Sequence, residues 1–205
     1  KEVIMIVIGL TGGTGSGKST VDAYLKGKGC HIIDADKISR ELTAKGGEAL
    51  GAIMSAFGQD VFFEDGSLDR KKLGTIVFND TQKLKILEGI ITRKVIELTL
   101  QRIAKLKVQG NESIVVLDAP LLFECGMNDC TDENWLVICE QEQRVNRLMK
   151  RDGMERQSIF DRMANQLRDD EKIILADYII DNSGTLEELY RQIDSLIERV
   201  ENEKK

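Results

Sequence analysis

The sequence predicts an α/β protein in which a five-stranded parallel sheet is flanked by helices and carries an inserted helical subdomain and a small lid. Short apolar runs alternate along the chain with longer helical patterns, which is typical of parallel strands buried on both faces by crossover helices. The stretch between the second and third runs is far longer than one crossover needs, and it predicts the insertion. A glycine-rich segment marks the point where the first strand turns into the first helix.

The five apolar runs that predict strands are residues 3–9, 30–34, 113–118, 135–140 and 178–181. Helical periodicity follows the first run over 21–28 and the second over 38–42. In the insertion, apolar stripes over 49–57, 73–77 and 84–98 predict three helices, the last of which extends toward Lys107, with turns at 58–65 and 66–68. We predict one domain over 1–205, with the inserted subdomain at 36–108 and the lid at 147–170. From pattern alone, the insertion is either a mobile subdomain on the substrate side or an enlarged helical layer.

The amino-acid composition argues against nucleic-acid-binding, membrane and secreted proteins. The 29 basic and 35 acidic residues give a net charge of −6 without a Lys/Arg run, so we expect no nucleic-acid partner. The longest apolar run, 3–8, is too short to span a bilayer, and only two residues precede it, so we expect no membrane partner and no signal peptide. The four cysteines contain no CxxC pair and are predicted to be reduced thiols, which favours a cytoplasmic protein.

Residues 9–20 read "GLTGGTGSGKST" and contain the pattern G-x-x-x-x-G-K-[ST], directly after a predicted strand and before a helix. In such a loop the backbone N–H groups surround a phosphate, Lys18 contacts the β- and γ-phosphates, and Ser19 supplies a hydroxyl ligand to Mg²⁺. We therefore predict a triphosphate site with Mg²⁺, and we favour ATP over GTP because the chain has no NKxD motif. The residues expected to bind ATP in this loop are Gly13, Thr14, Gly15, Ser16, Gly17, Lys18, Ser19 and Thr20.

Two carboxylates, Asp34 and Asp36, follow the second predicted strand at the end of the sheet where ligands of open α/β folds bind. Phosphoryl transfer to an alcohol needs a carboxylate that orients the hydroxyl and takes its proton. Either aspartate suits that role, and either suits the N-cap of the following helix. The spacing alone leaves both interpretations open.

A basic helix face is predicted near the lid, because Arg144, Arg147 and Arg151 are spaced i, i+3 and i+7. We interpret Arg147 and Arg151 as ATP-binding side chains that close over the phosphates and exclude water. For Arg144 we favour a solvated basic face.

Further candidates follow the other predicted strands. Asp118 ends the third strand and is expected to hold Mg²⁺ through water, or else to cap the turn. Pro120 and Leu121 are candidates for the wall of the substrate site, although a proline here also suits a plain strand end. Arg70 can meet substrate phosphates from the insertion or be a solvated charge at a helix start. Asn182 follows the last strand, either beside the adenine or in a simple turn.

The chain resembles the dephospho-CoA kinases over nearly its whole length. The matching segments are "GLTGGTGSGKST", "HIIDADKISREL", "FFEDGSLDRKKLGTIVF", "VLDAPLLFE" and "LADYIIDNSGTLEEL". The resemblance implies a P-loop kinase fold related to the nucleoside monophosphate kinases. It also implies transfer of the ATP γ-phosphate to the ribose 3′-hydroxyl of dephospho-CoA, the final step of coenzyme A biosynthesis.

The same resemblance implies roles for three residues. Asp36 is the base near the 3′-hydroxyl, Thr11 lies near the transferred phosphate, and Arg147 contacts the phosphates. Two positions depart from the family: Thr92-Arg93 stands where His-Pro is common, and Thr14 stands where a branched apolar residue is usual. The first departure bears on how the insertion helix bends and keeps open the alternative of another nucleoside or small-alcohol acceptor. A second alternative, independent of that departure, is an ATP-binding switch without transfer.

Overall fold

The structure is a computed structural model that describes residues 5–110 and 114–203. Its strands are β1 (Ile6–Gly12), β2 (His31–Asp34), β3 (Ile114–Asp118), β4 (Glu133–Ile138) and β5 (Tyr178–Asp181). They form one parallel sheet in the order β2-β3-β1-β4-β5. The predicted fold class, a five-stranded parallel sheet flanked by helices, is confirmed.

The helices surround this sheet and form the insertion. They are α1 (Lys18–Gly27), α2 (Ala35–Leu42), α3 (Leu50–Phe57), α4 (Arg70–Phe78), α5 (Thr81–Gln109), α6 (Gln141–Asp152), α7 (Arg156–Ala164), α8 (Asp169–Leu175) and α9 (Leu186–Glu203), with 3₁₀ turns at Gln59–Val61 and Met127–Cys130. Within the described ranges, no helix has both the length and the apolar character that a membrane span requires.

Two strands differ by more than one residue from their predicted bounds. β1 continues to Gly12 instead of ending at residue 9, and β4 covers 133–138 instead of 135–140. Leu10 pairs with Trp135 and Gly12 with Val137, so the sheet ladder holds the glycine-bearing end of β1 in an extended conformation. Residues 3, 4 and 113 of the predicted strands lie outside the described residues.

The helix that follows the glycine-rich loop is fixed against the C-terminal helix. Tyr24 of α1 stacks on Tyr190 of α9 with ring centroids 4.0 Å apart, and Lys28 forms a 2.7 Å ion pair with Asp194. Hydrogen bonding to Lys28 lowers the pKa of Asp194. Both helices also contribute to one apolar core with the sheet, whose buried members include Ile8, Leu10, Val21, Leu25, Trp135, Val137, Ile180, Leu189 and Ile193. The loop therefore joins a buried strand to a firmly packed helix.

Residues Asp34–Arg102 form one compact unit, and the remaining described residues form another. In the Asp34–Arg102 unit an antiparallel bridge joins Phe62 and Leu68, within the segments predicted as turns. Helix α5 runs without a break through Thr92 and Arg93. Because neither residue lacks a backbone N–H, the helical hydrogen-bond ladder can continue there. That this unit moves during function stays a prediction.

A buried ion pair ties α8 to the loop after β3. Lys172 Nζ lies 2.8 Å from Glu124 Oε1, and the lysine side chain is 0% exposed. The same carboxylate oxygen accepts a hydrogen bond from the backbone N–H of Leu167 at 3.1 Å. Glu124 therefore fixes the start of α8 as well as its lysine.

We expect Lys172→Met to destabilise the protein by about 3–5 kcal/mol, because it leaves the largely buried Glu124 carboxylate without its counter-charge. The free energy of unfolding from urea titration measures this loss. The double variant Glu124→Gln, Lys172→Met should recover much of it, since no charge then remains buried. Equal stability of the wild type and Lys172→Met would contradict the prediction.

Candidate active site

The loop between β1 and α1 is held by glycines in a left-handed conformation. Gly15 has φ 81°, and Gly17, the N-cap of α1, has φ 88°. The N–H of Ser16 donates to the Gly13 carbonyl at 3.0 Å, which closes the turn. Such alternation of backbone conformation points successive N–H groups inward and creates a concave anion site at a helix N-terminus. We call residues 12–17 the phosphate loop.

Two glycines of the phosphate loop are also needed for close packing. A Cβ at Gly13 would lie 2.5 Å from Nη2 of Arg144, and a Cβ at Gly17 would overlap the side-chain amide of Asn182. Side chains from the other end of the chain therefore lie directly against this backbone. The loop is enclosed on that side, which restricts the conformations it can adopt.

Lys18, the first residue of α1, forms an ion pair with Asp118 at the end of β3. The two residues meet because β1 and β3 are neighbours, with Leu10 opposite Asp118 in the register. Both side chains are largely buried, at 14% and 15% exposure. The predicted phosphate-binding lysine and the predicted Mg²⁺ aspartate are thus brought together.

Thr11, at the end of β1, is fully buried, and its hydroxyl donates to the Pro120 carbonyl at 3.2 Å. This bond joins β1 to the segment that leaves β3. Leu121 follows on that segment and is 41% exposed, as a residue lining a binding site can be. The role of Thr11 near a transferred phosphate stays a prediction.

Arg147 and Asn182 meet at the phosphate loop. Asn182 is 6% exposed and donates from Nδ2 to the Ser16 carbonyl at 2.7 Å. Arg147 donates from Nη2 to the Asn182 carbonyl at 3.0 Å and lies 3.5 Å from the Ser16 carbonyl through Nη1. A guanidinium, which always carries a positive charge, is therefore fixed against the loop that is predicted to hold the triphosphate.

Arg144 was interpreted from the sequence as part of a solvated face, and that interpretation is wrong. Its side chain is 6% exposed, donates from Nε to the Thr14 carbonyl at 2.9 Å, and pairs with Asp169 at 2.5 Å. Helical spacing placed it on the same face as Arg147, and that was the one signal of its location. Its partners lie too far away in sequence for any local pattern to indicate them.

Arg151 occupies a different setting from the other two arginines. Its side chain is 65% exposed and forms two 2.7 Å hydrogen bonds with the carboxylate of Asp152. These bonds raise the pKa of Arg151 and lower that of Asp152. The structure brings Arg144 and Arg147 to the phosphate loop, whereas an ATP contact by Arg151 stays a prediction.

The paired aspartates differ in their surroundings within the Asp34–Arg102 unit. Asp34 is the N-cap of α2, and its Oδ1 accepts a 2.8 Å hydrogen bond from the N–H of Lys37. Asp36 lies in the first turn of α2 and is exposed. The capping role therefore belongs to Asp34, which leaves the carboxylate of Asp36 accessible.

Arg70, the first residue of α4, donates from Nη2 to the hydroxyl of Thr43 at 2.7 Å and to its carbonyl at 3.2 Å. These bonds satisfy backbone and side-chain oxygens at the C-terminal end of α2. Arg70 is exposed overall, so a contact with substrate phosphate stays a prediction.

Two cysteines have raised pKa values, Cys130 and Cys139. Burial is the main cause at both positions, and Asp129 adds to it at Cys130. Both side chains therefore remain neutral thiols near neutral pH, and neither supplies a thiolate nucleophile.

The oxygen donors beside the phosphate loop suit Mg²⁺. Ser19 presents an exposed hydroxyl in the first turn of α1, and Asp118 presents a carboxylate next to Lys18. In the described part of the chain, no cluster of three or more His, Cys, Asp or Glu side chains is arranged to hold a metal. Mg²⁺ usually keeps several waters and binds one or two protein ligands plus substrate phosphates, so this small donor set fits it.

A phosphate loop after β1, a lysine and an arginine beside it, and a parallel sheet with this strand order define the chain as a P-loop kinase. Comparison with known proteins gives the family: the family model for dephospho-CoA kinase matches residues 6–188. The chain belongs to the dephospho-CoA kinase family. It is an ATP-using phosphotransferase of coenzyme A biosynthesis.

Individual relatives agree with the family assignment. The chain is 41% identical over 197 residues to a dephospho-CoA kinase of Carboxydothermus hydrogenoformans, covering 96% of this chain and 95% of the relative. It is 42% identical over 192 residues to that of Geobacter sulfurreducens, covering 94% and 97%. Both alignments span almost the entire length of each protein.

Solved structures agree with the fold. A dephospho-CoA kinase from Campylobacter jejuni matches with a TM-score of 0.72 at 26% identity, covering 97% of this chain and 98% of that one. A shikimate kinase from Bacteroides thetaiotaomicron matches with a TM-score of 0.53 at 16% identity, covering 96% and 99%, and that likeness shows the fold alone.

Proposed function

We propose that Asp36 is the general base of the transfer from ATP to the ribose 3′-hydroxyl of dephospho-CoA. The accessible carboxylate of Asp36 supports this assignment, since Asp34 is occupied as a helix cap. The acceptor oxygen attacks the γ-phosphorus, its proton passes to the Asp36 carboxylate, and the bond from the γ-phosphorus to the bridging oxygen of ADP breaks. A base within hydrogen-bonding reach of the acceptor hydroxyl is what this step requires.

The charge that develops on the phosphates is neutralised from the phosphate-loop side. We propose that the triphosphate is held by the loop N–H groups that are not donated within the protein, as those of Thr14 and Ser16 are. Lys18 contacts its β- and γ-phosphates, and Arg147 stabilises the transferred group. Ser19 directly and Asp118 through water would hold Mg²⁺, which supplies further charge neutralisation when bound. The observation that carries the proposal is the convergence of Lys18, Asp118 and Arg147 on a loop closed by left-handed glycines.

The remaining roles concern the two substrates. We propose that Thr11 lies near the transferred phosphate, that Thr20, Arg151 and Asn182 contribute to ATP binding, and that dephospho-CoA meets Asp34, Arg70, Pro120 and Leu121. A cytoplasmic location and the lack of nucleic-acid partners stay predictions from the sequence.

An acceptor panel tests the function. The protein is incubated with Mg²⁺, ATP and, in separate reactions, dephospho-CoA, adenosine, uridine or gluconate, while ADP and phosphorylated product are measured. We expect stoichiometric product from dephospho-CoA alone, with omission of Mg²⁺ abolishing turnover. Efficient product from another acceptor would overturn the substrate assignment, and tight ATP binding without any product would overturn transfer itself.

A further inference from the structure

Gln166 joins the segment between α7 and α8 to the phosphate loop. Its side-chain oxygen Oε1 accepts a 2.9 Å hydrogen bond from the backbone N–H of Thr14 and another of 2.9 Å from the Thr14 hydroxyl. These residues lie 152 positions apart in the chain. One acceptor atom therefore holds a backbone group and a side-chain group of the same loop residue.

The carbonyl of Thr14 is held from the same side. Arg144 donates to it from Nε at 2.9 Å, and Asp169 fixes that guanidinium through a 2.5 Å ion pair. The N–H of Thr14 belongs to the peptide unit before the residue, and its carbonyl belongs to the peptide unit after it. Both peptide planes that flank Thr14 are consequently fixed by side chains.

This fixation matters because glycines stand on both sides of Thr14. Gly13 and Gly15 restrict the backbone less than any other residue would, and ordering them costs more conformational entropy. A loop of this composition has little conformational preference of its own. The hydrogen bonds to Thr14 therefore act with the Ser16–Gly13 turn bond to select one conformation of the loop.

The side of the contact that bears Gln166 is itself well anchored. The next residue, Leu167, donates its N–H to Glu124, and Lys172 places a fully buried ammonium on the same carboxylate. Gln166 thus extends from a segment that is tied to the loop after β3. Because this segment is anchored, Gln166 is suited to holding the phosphate loop in one position.

We propose that Gln166 is a positioning residue for ATP binding: it holds Thr14 so that the phosphate loop is pre-formed for the triphosphate. The proposal deepens the function proposed above and requires only its ATP-binding part. Gln166 acts through Thr14 and not on substrate. Its loss should therefore weaken ATP binding and leave the acceptor site unaffected, because a loop that spends time in other conformations lowers the apparent affinity by the fraction that is competent.

The test compares Gln166→Met with Gln109→Met. Methionine keeps the length of the side chain but removes the acceptor, and Gln109, the exposed last residue of α5, undergoes the same change away from the loop. Calorimetry measures Mg·ATP binding without acceptor, so the result does not depend on the identity of the acceptor. Steady-state kinetics give KM for ATP and for dephospho-CoA, and thermal melting reports stability.

We expect Gln166→Met to weaken ATP binding about tenfold, the usual consequence of leaving a partly buried N–H without a partner. The KM for dephospho-CoA and the behaviour of Gln109→Met should stay close to wild type. Thr14→Val removes only the hydroxyl contact and should weaken ATP binding about two- to fourfold, as loss of one neutral hydrogen bond does. Combined with Gln166→Met it should add little, because both variants remove one shared interaction.

Two results would overturn the proposal. Wild-type ATP affinity in both Gln166→Met and Thr14→Val would show that the contact does not position the loop. Equal losses of ATP and dephospho-CoA affinity, together with a lowered melting temperature, would show a merely structural role. Should Gln166→Met fail to fold, Gln166→Asn decides, because the shorter side chain withdraws the acceptor from both the N–H and the hydroxyl of Thr14. Wild-type ATP affinity in that variant refutes the contact, and a selective loss of ATP affinity supports it.

Discussion

Asp36→Asn is expected to lower turnover by about a hundred- to ten-thousand-fold, the range over which a positioned general base contributes. Asparagine keeps the shape of the side chain but cannot take the proton of the acceptor hydroxyl. Because phosphoryl transfer depends heavily on positioning and charge neutralisation, the lower end of this range is the more natural expectation. ATP affinity, measured by calorimetry, should change little, since the phosphate loop and Lys18 are untouched.

Asp34→Asn is the matched comparison for this prediction. Asparagine caps helices as well as aspartate does, so α2 should keep its N-terminus and the hydrogen bond from Lys37. If Asp36 is the base, Asp34→Asn retains much more turnover than Asp36→Asn. A larger loss of kcat in Asp34→Asn would transfer the role of base to Asp34 and contradict the assignment.

The phosphate loop could be predicted from the sequence because its requirements are local. Left-handed backbone at Gly15 and Gly17 restricts those positions to glycine, and the lysine and hydroxyl must follow at fixed spacing. Parallel strands that are buried on both faces can also be predicted locally, because each one is a short run of apolar residues. The order of the strands in the sheet cannot be predicted from such runs, because strands that are neighbours in the sheet are distant in the chain.

The enclosure of the phosphate loop could not be predicted in this way. Arg144 and Gln166 contact Thr14 across 130 and 152 positions, and polar side chains of both kinds are more often solvated. Helical spacing predicts which residues share a helix face, but it does not predict which other residues pack against that face. The resemblance to the family implied roles for Asp36, Thr11 and Arg147, but it implied none for Gln166.

The C-terminal end of β1 is another feature that local sequence could not predict. Glycine has a low preference for strands, so the residues from Gly9 to Gly12 predicted a loop. Pairing with β3 as far as Leu10 and with β4 as far as Gly12 overrides that preference, and β4 alone carries the strand through its last two residues. The tertiary partner, not the local composition, decides where the phosphate loop begins.

Lys18→Met is expected to reduce kcat/KM for ATP by about a hundred- to a thousand-fold. This is the loss usually seen when one hydrogen-bond donor to a developing negative charge is removed. Methionine retains the apolar stem of lysine and removes the ammonium that contacts the β- and γ-phosphates in the proposed mechanism. It also leaves Asp118 without the cation that it pairs with in the structure. The ADP formed with saturating dephospho-CoA measures the effect.

Lys26→Met on the same helix provides the control, because Lys26 lies exposed in the last turn of α1. Its turnover should match the wild type, which separates a local effect at the phosphates from a general effect of charge. Asp118→Asn distinguishes the two members of the ion pair: it should raise the Mg²⁺ concentration needed for half-maximal rate, whereas Lys18→Met should lower the rate at every Mg²⁺ concentration. If Lys18→Met keeps more than about a tenth of wild-type kcat/KM, the ammonium does not make the transition-state contact that a P-loop lysine makes.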